Sequence, residues 1–131
     1  MFPRILDQIQ EIMIKPVATA KPDDLLINAA KTMLEKKIGC VVVVEREKAV
    51  GIVTESDLIK CAAMGHDPNR TPVKDVMSKP PVTCPPHTRI EEVYALMRRN
   101  QIRHLPIVEK EGNLVGIVTM KDLISVGKLI L

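Results

Sequence analysis

Two short strings hold the side chains best suited to chemistry. They are Gly51-Ile52-Val53-Thr54-Glu55-Ser56-Asp57 and Gly116-Ile117-Val118-Thr119-Met120-Lys121-Asp122. In each, an apolar strand-like run ends at a threonine and a helix-forming pattern follows. The threonine hydroxyl and the first free N–H groups of that helix then point the same way, an arrangement that favours phosphate. Asp57 and Asp122 fall in the first helical turn. An ionised carboxylate accepts two hydrogen bonds at once, which suits a ribose diol. The same spacing is also ordinary capping chemistry, with a first-turn Asp favoured by the helix dipole. Both readings stand at this level. Gly51 and Gly116 are expected where a side chain would obstruct a neighbouring backbone or a ligand.

The elements that must position these residues come from an internal duplication. Residues 12–47 align without a gap to 76–111, and after one inserted residue 50–59 aligns to 115–124. Identities include Met13/Met77, Pro16/Pro80, Thr19/Thr83, Met33/Met97, Ile38/Ile102, Thr54/Thr119 and Asp57/Asp122. Each copy opens with an extended, Pro-containing segment (Pro16–Thr19, Pro80–Thr83), where proline disfavours helix. A helical pattern follows over Leu26–Lys37 and Ile90–Gln101, with apolar residues such as Leu26, Ala29, Ala30, Met33 and Leu34 at helical spacing. Two apolar runs then predict a hairpin: Cys40–Val44 with Val50–Val53, and Leu105–Val108 with Leu114–Val118. The second turn carries Gly112-Asn113, residues that tolerate positive φ. Closing helices are expected to start near Ser56 and Lys121, the first ending around Gly65. Met33 and Met97 read as core fillers.

A β-α-β-β-α unit of this size cannot bury its Val- and Ile-rich strands alone. The reading is therefore a mixed α/β (α+β) chain of two such units packed sheet to sheet with pseudo-two-fold symmetry. The divisions expected are an N-terminal amphipathic helix over 1–11, a first motif over 12–65, a linker over 66–75 and a second motif over 76–131. Ile5, Leu6, Ile9 and Ile12 lie on one face of that first helix, which should pack against the body or a second subunit. The apolar tail Val126–Leu131 continues the last helix, and leftover apolar stripes on so small a domain point to self-association.

Composition removes several function classes. The chain has one Phe, one Tyr and no Trp, so it lacks the aromatic platforms that stack single-stranded nucleic acid. Its net charge of +3 is scattered, which suits small phosphate-bearing ligands and falls short of a nucleic-acid footprint. Cys40, Cys61 and Cys84 are far apart, an arrangement without a metal-type pair and suited to a reducing compartment. Neither a membrane-length segment nor a signal-peptide core is present, so the expectation is a cytoplasmic protein. No activated nucleophile, paired carboxylates or metal cluster is legible, and His66, His87 and His104 have no evident triad partners. His66 and His87 read as surface residues. An enzyme is not expected.

The two copies resemble the CBS motif, the β-α-β-β-α unit named for cystathionine β-synthase. The first shows Met13, Val17, Thr19, Ala30, Met33, Ile38-Gly39, the valine run and Gly51 to Leu58. The second shows Met77, Val82-Thr83, Met97, Ile102-Arg103-His104-Leu105-Pro106 and Gly116 to Leu123. That resemblance covers roughly residues 12–127 and implies a non-catalytic regulatory module that binds an adenine nucleotide (AMP, ADP, ATP or an adenosyl compound) in the cleft between its motifs. It implies Asp57 and Asp122 on ribose hydroxyls and Thr54 and Thr119 near phosphate. It places an adenine slot at Thr19 with Ile38, Gly39 and Cys40, and at Thr83 with Ile102, Arg103 and His104. In that carry-over Arg103 and His104 reach the phosphates, Arg103 as a bidentate partner. Gly39 and Cys40 stand in the first copy where Arg103 and His104 stand in the second, so the two sites cannot be chemically equivalent. Arg103 and His104 also read as a solvated strand edge. The resemblance further implies a homodimer, no required cofactor, and an output that passes through a separate target protein or through self-assembly. A ligand-free assembly module is the alternative.

Overall fold

The computed structural model describes residues 6–130, with side chains to Val126. The chain divides into two compact units. One holds Val17–Pro81; the other joins the segment ending at Pro16 to the chain from Val82 onward. Among the described residues it is a mixed α+β fold with two small sheets and four α-helices.

In the Val17–Pro81 unit, strand β1 (Thr19–Ala20) runs parallel to β2 (Cys40–Glu45), which pairs antiparallel with β3 (Lys48–Thr54). Helix α1 (Leu26–Lys36) connects β1 to β2, and α2 (Glu55–Ala63) follows β3 without a break. The β2–β3 turn has only two central residues, Arg46 and Glu47, at φ 52° and 69°. Positive φ at both positions matches the twist that a two-residue hairpin requires. Helix α1 ends on Lys37 at φ 56°, a left-handed cap adopted here without glycine.

Strand alternation sorts this sheet's residues. Ala20, Val41, Val43 and Val53 face the helices and form one cluster with Leu26, Ala29, Met33 and Cys61. The register pairs Thr19 with Val42, Val42 with Ile52 and Cys40 with Thr54. Directly paired residues share a face and side chains alternate, so these five lie on the face turned away from the helices. Leu34, expected on the apolar helix face, is 82% exposed.

The other unit repeats the plan. Helix α3 (Ile90–Asn100) precedes the antiparallel pair β4 (His104–Val108) and β5 (Leu114–Thr119), and α4 (Met120–Ile130) closes it. Cys84 makes a parallel bridge to Ile107, taking the place of β1. Cys84, Leu105, Ile107 and Val118 face the core with Val93 and Met97; His104, Pro106, Ile117 and Thr119 lie on the opposite face. Met33 and Met97 are core residues, as expected. The second turn differs from its reading: Glu111 (φ 66°) and Gly112 (φ 85°) are left-handed, whereas Asn113 is extended at φ −64°. The positive-φ pair thus lies one position earlier than expected, at Glu111-Gly112.

The N-terminal amphipathic helix is not formed in its described part. Leu6 and Asp7 are irregular, Gln8 bridges Arg89, and only Ile9–Glu11 makes a 3-10 turn; Ile5 lies outside the described residues. The backbone is drawn instead into the Val82 unit. The Ile90 N–H donates to the Asp7 carbonyl (2.9 Å), and Ile9 and Gln10 donate to Thr88 and Pro86 (2.8 and 3.0 Å). Ile14 and Ile117 exchange two hydrogen bonds of 2.8 and 3.0 Å. Ile9 is fully buried, and Ile12 and Met13 pack against the same core.

The segment ahead of the second motif does the same for the first. Leu26 N–H donates to the Thr71 carbonyl (2.8 Å), Val73 and Lys74 to Asp24 and Pro22 (2.8 and 3.1 Å), and Ser78 pairs with Ile52. Val73 is fully buried there. Each repeat's leading segment therefore completes the unit built from the other repeat.

This exchange explains the two glycines. A Cβ on Gly51 would overlap the Sδ of Met77 and lie 2.8 Å from its Cγ; one on Gly116 would meet Met13 in the same way. The obstruction is a methionine side chain of the exchanged segment, and not the backbone or ligand expected. Gly51→Ala should cost about 1–3 kcal/mol by overpacking. Urea denaturation should show that loss, and it should shrink when Met77→Ala is added, a coupling that a double-mutant cycle reads directly.

Candidate functional site

Each unit places a Thr-x-x-Asp string at the junction of its last strand and its closing helix. At the start of α2 the Thr54 N–H donates to Asp57 Oδ2 (2.8 Å), with the Thr54 hydroxyl 3.4 Å from the same oxygen. At the start of α4 the Thr119 N–H donates to Asp122 Oδ2 (3.0 Å) and the Thr119 hydroxyl does so at 2.8 Å. The Asp122 N–H reaches back to the Thr119 hydroxyl at 3.2 Å, a reciprocal cap. The capping chemistry is therefore real in both copies. It uses one carboxylate oxygen of each aspartate. Asp57 is only 8% exposed, and its Oδ1 accepts no hydrogen bond among the described residues. One acceptor of each aspartate remains for a further donor, so capping and ligand binding are compatible.

The turn before each hairpin is tied to the same helix start. The Glu55 N–H donates to the Gly39 carbonyl (3.2 Å), and the Met120 N–H donates to the Arg103 carbonyl (2.8 Å). Ile38 and Gly39 are thereby brought beside Thr54 and Asp57, and Ile102 and Arg103 beside Thr119 and Asp122. Thr19 reaches the same sheet face as Thr54, one strand removed across β2. His104 pairs directly with Thr119 and is half-buried, while Thr83 immediately precedes the Cys84 bridge. Within each unit the residues singled out in the sequence converge on one end of the sheet.

Each convergence point adjoins a groove on the helix side. In the Val17–Pro81 unit, Met33, Lys37, Ile38, Gly39, Glu55 and Leu58 line about 580 Å³. In the other unit, Met97, Arg98, Ile102, Arg103, Met120 and Ile124 line about 570 Å³. Tyr94 and Arg98 are linked there by a 3.1 Å hydrogen bond and a stacked contact at 5.8 Å. Glu55 and Met120 are site-lining residues that no identity between the repeats marks. Their signal was available as a difference between aligned positions rather than an identity.

Cys40, taken with the adenine slot, is 5% exposed and paired with Thr54 across the hairpin. Burial, and then the negative charge of Glu55, push its thiol up to about 12. Cys84 is shifted the same way by burial. Neither is a reactive thiolate at neutral pH. His66 and His87 are exposed. Among the described residues no group of His, Cys, Asp or Glu is arranged to hold a metal ion, and no helix is long and apolar enough to cross a membrane.

The CBS domain family model matches residues 9–63 and 73–128, nearly all of the chain. The chain belongs to the CBS domain family. The uncharacterized protein MK0525 of Methanopyrus kandleri is 38% identical over 120 residues, 90% of this chain; the chain spans 61% of that relative's length. Among solved structures, the CBS domain pair of protein MJ0100, in complex with 5′-methylthioadenosine and S-adenosyl-L-methionine, superposes with a TM-score of 0.87 at 26% identity, covering 95% of this chain and 98% of that one. A hexameric CBS-CP12 protein from bloom-forming cyanobacteria gives 0.83 at 35% identity, covering 94% and 73%. The chain is thus a pair of CBS motifs, a regulatory unit and not a catalytic domain.

The Cys40 thiol gives this CBS pair a pH signature. A folded-state value above the unfolded value near 9 means the folded protein holds that proton more tightly. Its contribution is fully present below about 9 and is lost as the pH rises from about 9 towards about 12. The gap between wild type and Cys40→Ala, measured by urea denaturation at pH 8 and pH 10.5, should narrow at the higher pH. The folded protein should also resist thiol-reactive dye at Cys40 until denatured.

Proposed function

We propose that this CBS pair is a non-catalytic sensor that binds an adenine nucleotide or another adenosyl compound at its Thr-x-x-Asp ends. The observation that carries the reading is the geometry of the two aspartates. Each is held by its own helix start through one oxygen, which leaves a fixed, pre-oriented acceptor for a ribose hydroxyl. Pre-organisation of this kind lowers the ordering cost of binding. Thr54 and Thr119 then neighbour the 5′ substituent. The adenine lies along Thr19, Ile38 and Gly39 in one copy and along Thr83, Ile102, Arg103 and His104 in the other. The complex of MJ0100 with two adenosyl compounds supports this ligand class.

Output requires that the ligand favour one arrangement of the protein over another, since only differential affinity shifts an equilibrium. The receiver is a separate target protein or a further copy of the chain. A homodimer is the smallest such assembly, and the exposed Leu34, Ile59, Met64, Tyr94 and Ile124 supply apolar surface for it. Those same side chains favour a second reading, a ligand-free assembly module.

Thermal unfolding against AMP, ADP, ATP, S-adenosylmethionine and GMP separates the two. A ligand at about 100 times its dissociation constant stabilises the folded state by about 2.7 kcal/mol, which raises the midpoint by several degrees in a domain of this size. An adenine-selective rise that Asp57→Asn or Asp122→Asn abolishes is the expected result. A flat response to every compound, with self-association intact by sedimentation, would leave the assembly reading.

A further inference from the structure

The two Thr-x-x-Asp ends share their fold but differ in charge where a ligand's 5′ substituent would lie. The carbonyl-to-N–H bond described above holds residue 39 against residue 55 in one unit and residue 103 against residue 120 in the other. The first pair is Gly39 with Glu55; the second is Arg103 with Met120. One position further into each helix, Ser56 faces Lys121 across the repeat alignment, both exposed. The groove beside Gly39 also contains Lys37, and the one beside Arg103 contains Arg98. Counting these with the aspartates, the α2 end holds Lys37 against Glu55 and Asp57 and is net negative. The α4 end holds Arg98, Arg103 and Lys121 against Asp122 and is net positive. The influence of Glu55 on the Cys40 thiol shows that its carboxylate acts on the first residue of β2.

We infer that the two ends select adenine ligands of opposite charge: a phosphate-bearing nucleotide at Thr119 and Asp122, and an adenosyl compound with a neutral or cationic 5′ substituent at Thr54 and Asp57. This rests on the adenine-binding reading above. The physical basis is that helix N-termini attract anions in both units, so the side chains beside them decide the sign. Arg103 offers a fork that fits phosphate; its counterpart Gly39 offers no side chain, and Glu55, where the other unit has Met120, opposes a phosphate and favours a sulfonium or an uncharged thioether. Gly39 is not in the left-handed region, so its backbone conformation does not itself require glycine.

The backbone amides of Thr54 and Thr119 report the ends separately in nitrogen–proton correlation spectra. We would titrate the full chain with adenosine, AMP, ADP, ATP and S-adenosylmethionine. Affinity read at Thr119 should climb with each added phosphate, at least tenfold from adenosine to ATP, and weaken as salt is raised. At Thr54 it should stay level or fall along that series, with S-adenosylmethionine bound more tightly than ATP. Glu55→Gln should relieve the discrimination at Thr54, and Gly39→Arg with Glu55→Met should transfer the phosphate preference to it. The same ligand order at both amides would overturn this inference while leaving the adenine reading intact. Silence of both amides towards every adenine compound would overturn both.

Discussion

The structure depends on a reciprocal exchange of backbone. The residues ahead of each CBS motif do not pack on that motif; they cross to the unit built from the other. Ile9 and Val73, both fully buried, sit at equivalent points in the two cores, and Asp7 and Thr71 accept the first N–H of α3 and α1. A helix start leaves unsatisfied N–H groups, and here a distant strand-like segment satisfies one in each unit. The sheets benefit too: Ile14 and Ser78 cover the free edges of β5 and β3, edges that would otherwise invite pairing with another chain. Neither unit keeps its core, its helix start and its sheet edge without the leading segment of the other repeat. That is the physical reason for the motif to occur as a pair within one chain.

The same framework positions the chemistry. Strand alternation sends Val41, Val43 and Val53 towards the helices, and leaves Thr19, Cys40 and Thr54 on the opposite face. The β-α junction places each threonine at the last strand position and the first helical cap simultaneously. Asp57 and Asp122 are then oriented by bonds they must make for the helix to begin. A carboxylate already committed through one oxygen loses little freedom when the other meets a ligand, so the cap is part of what makes the site rigid.

Much of this was legible in the sequence because the signals are local. The helical spacing from Leu26 and from Ile90 locates α1 and α3 to within a residue, since the left-handed Lys37 and Gln101 merely close them. The valine runs mark the hairpins, and the threonine ends of β3 and β5 mark the helix starts. The exchange was not legible. Residues 7–11 and 71–75 occupy equivalent places yet share no identity, and Leu6, Ile9 and Ile12 fall at helical spacing by coincidence. Periodicity says that an apolar residue is buried; it does not say against which segment. The paired identities Gly51/Gly116 and Met13/Met77 did encode the exchange, because each methionine fills the space that the other repeat's glycine leaves open.

Duplication gives a way to separate folding from recognition inside one chain. Several positions identical in both copies, among them Gly51/Gly116, Met13/Met77, and the threonine and aspartate of each helix start, have packing or capping duties in the structure. Their identity is accounted for before any ligand is considered. Some positions differ while the backbone role stays the same. The carbonyls of Gly39 and Arg103 accept from the same kind of helix start, so the backbone role does not require the side chain. Glu55 and Met120 likewise donate their N–H groups in the same bond, although the Met120 side chain also packs against the core of its unit. Differences at such positions, clustered around one end of each sheet, are what the fold leaves free for recognition, and here they are differences of charge.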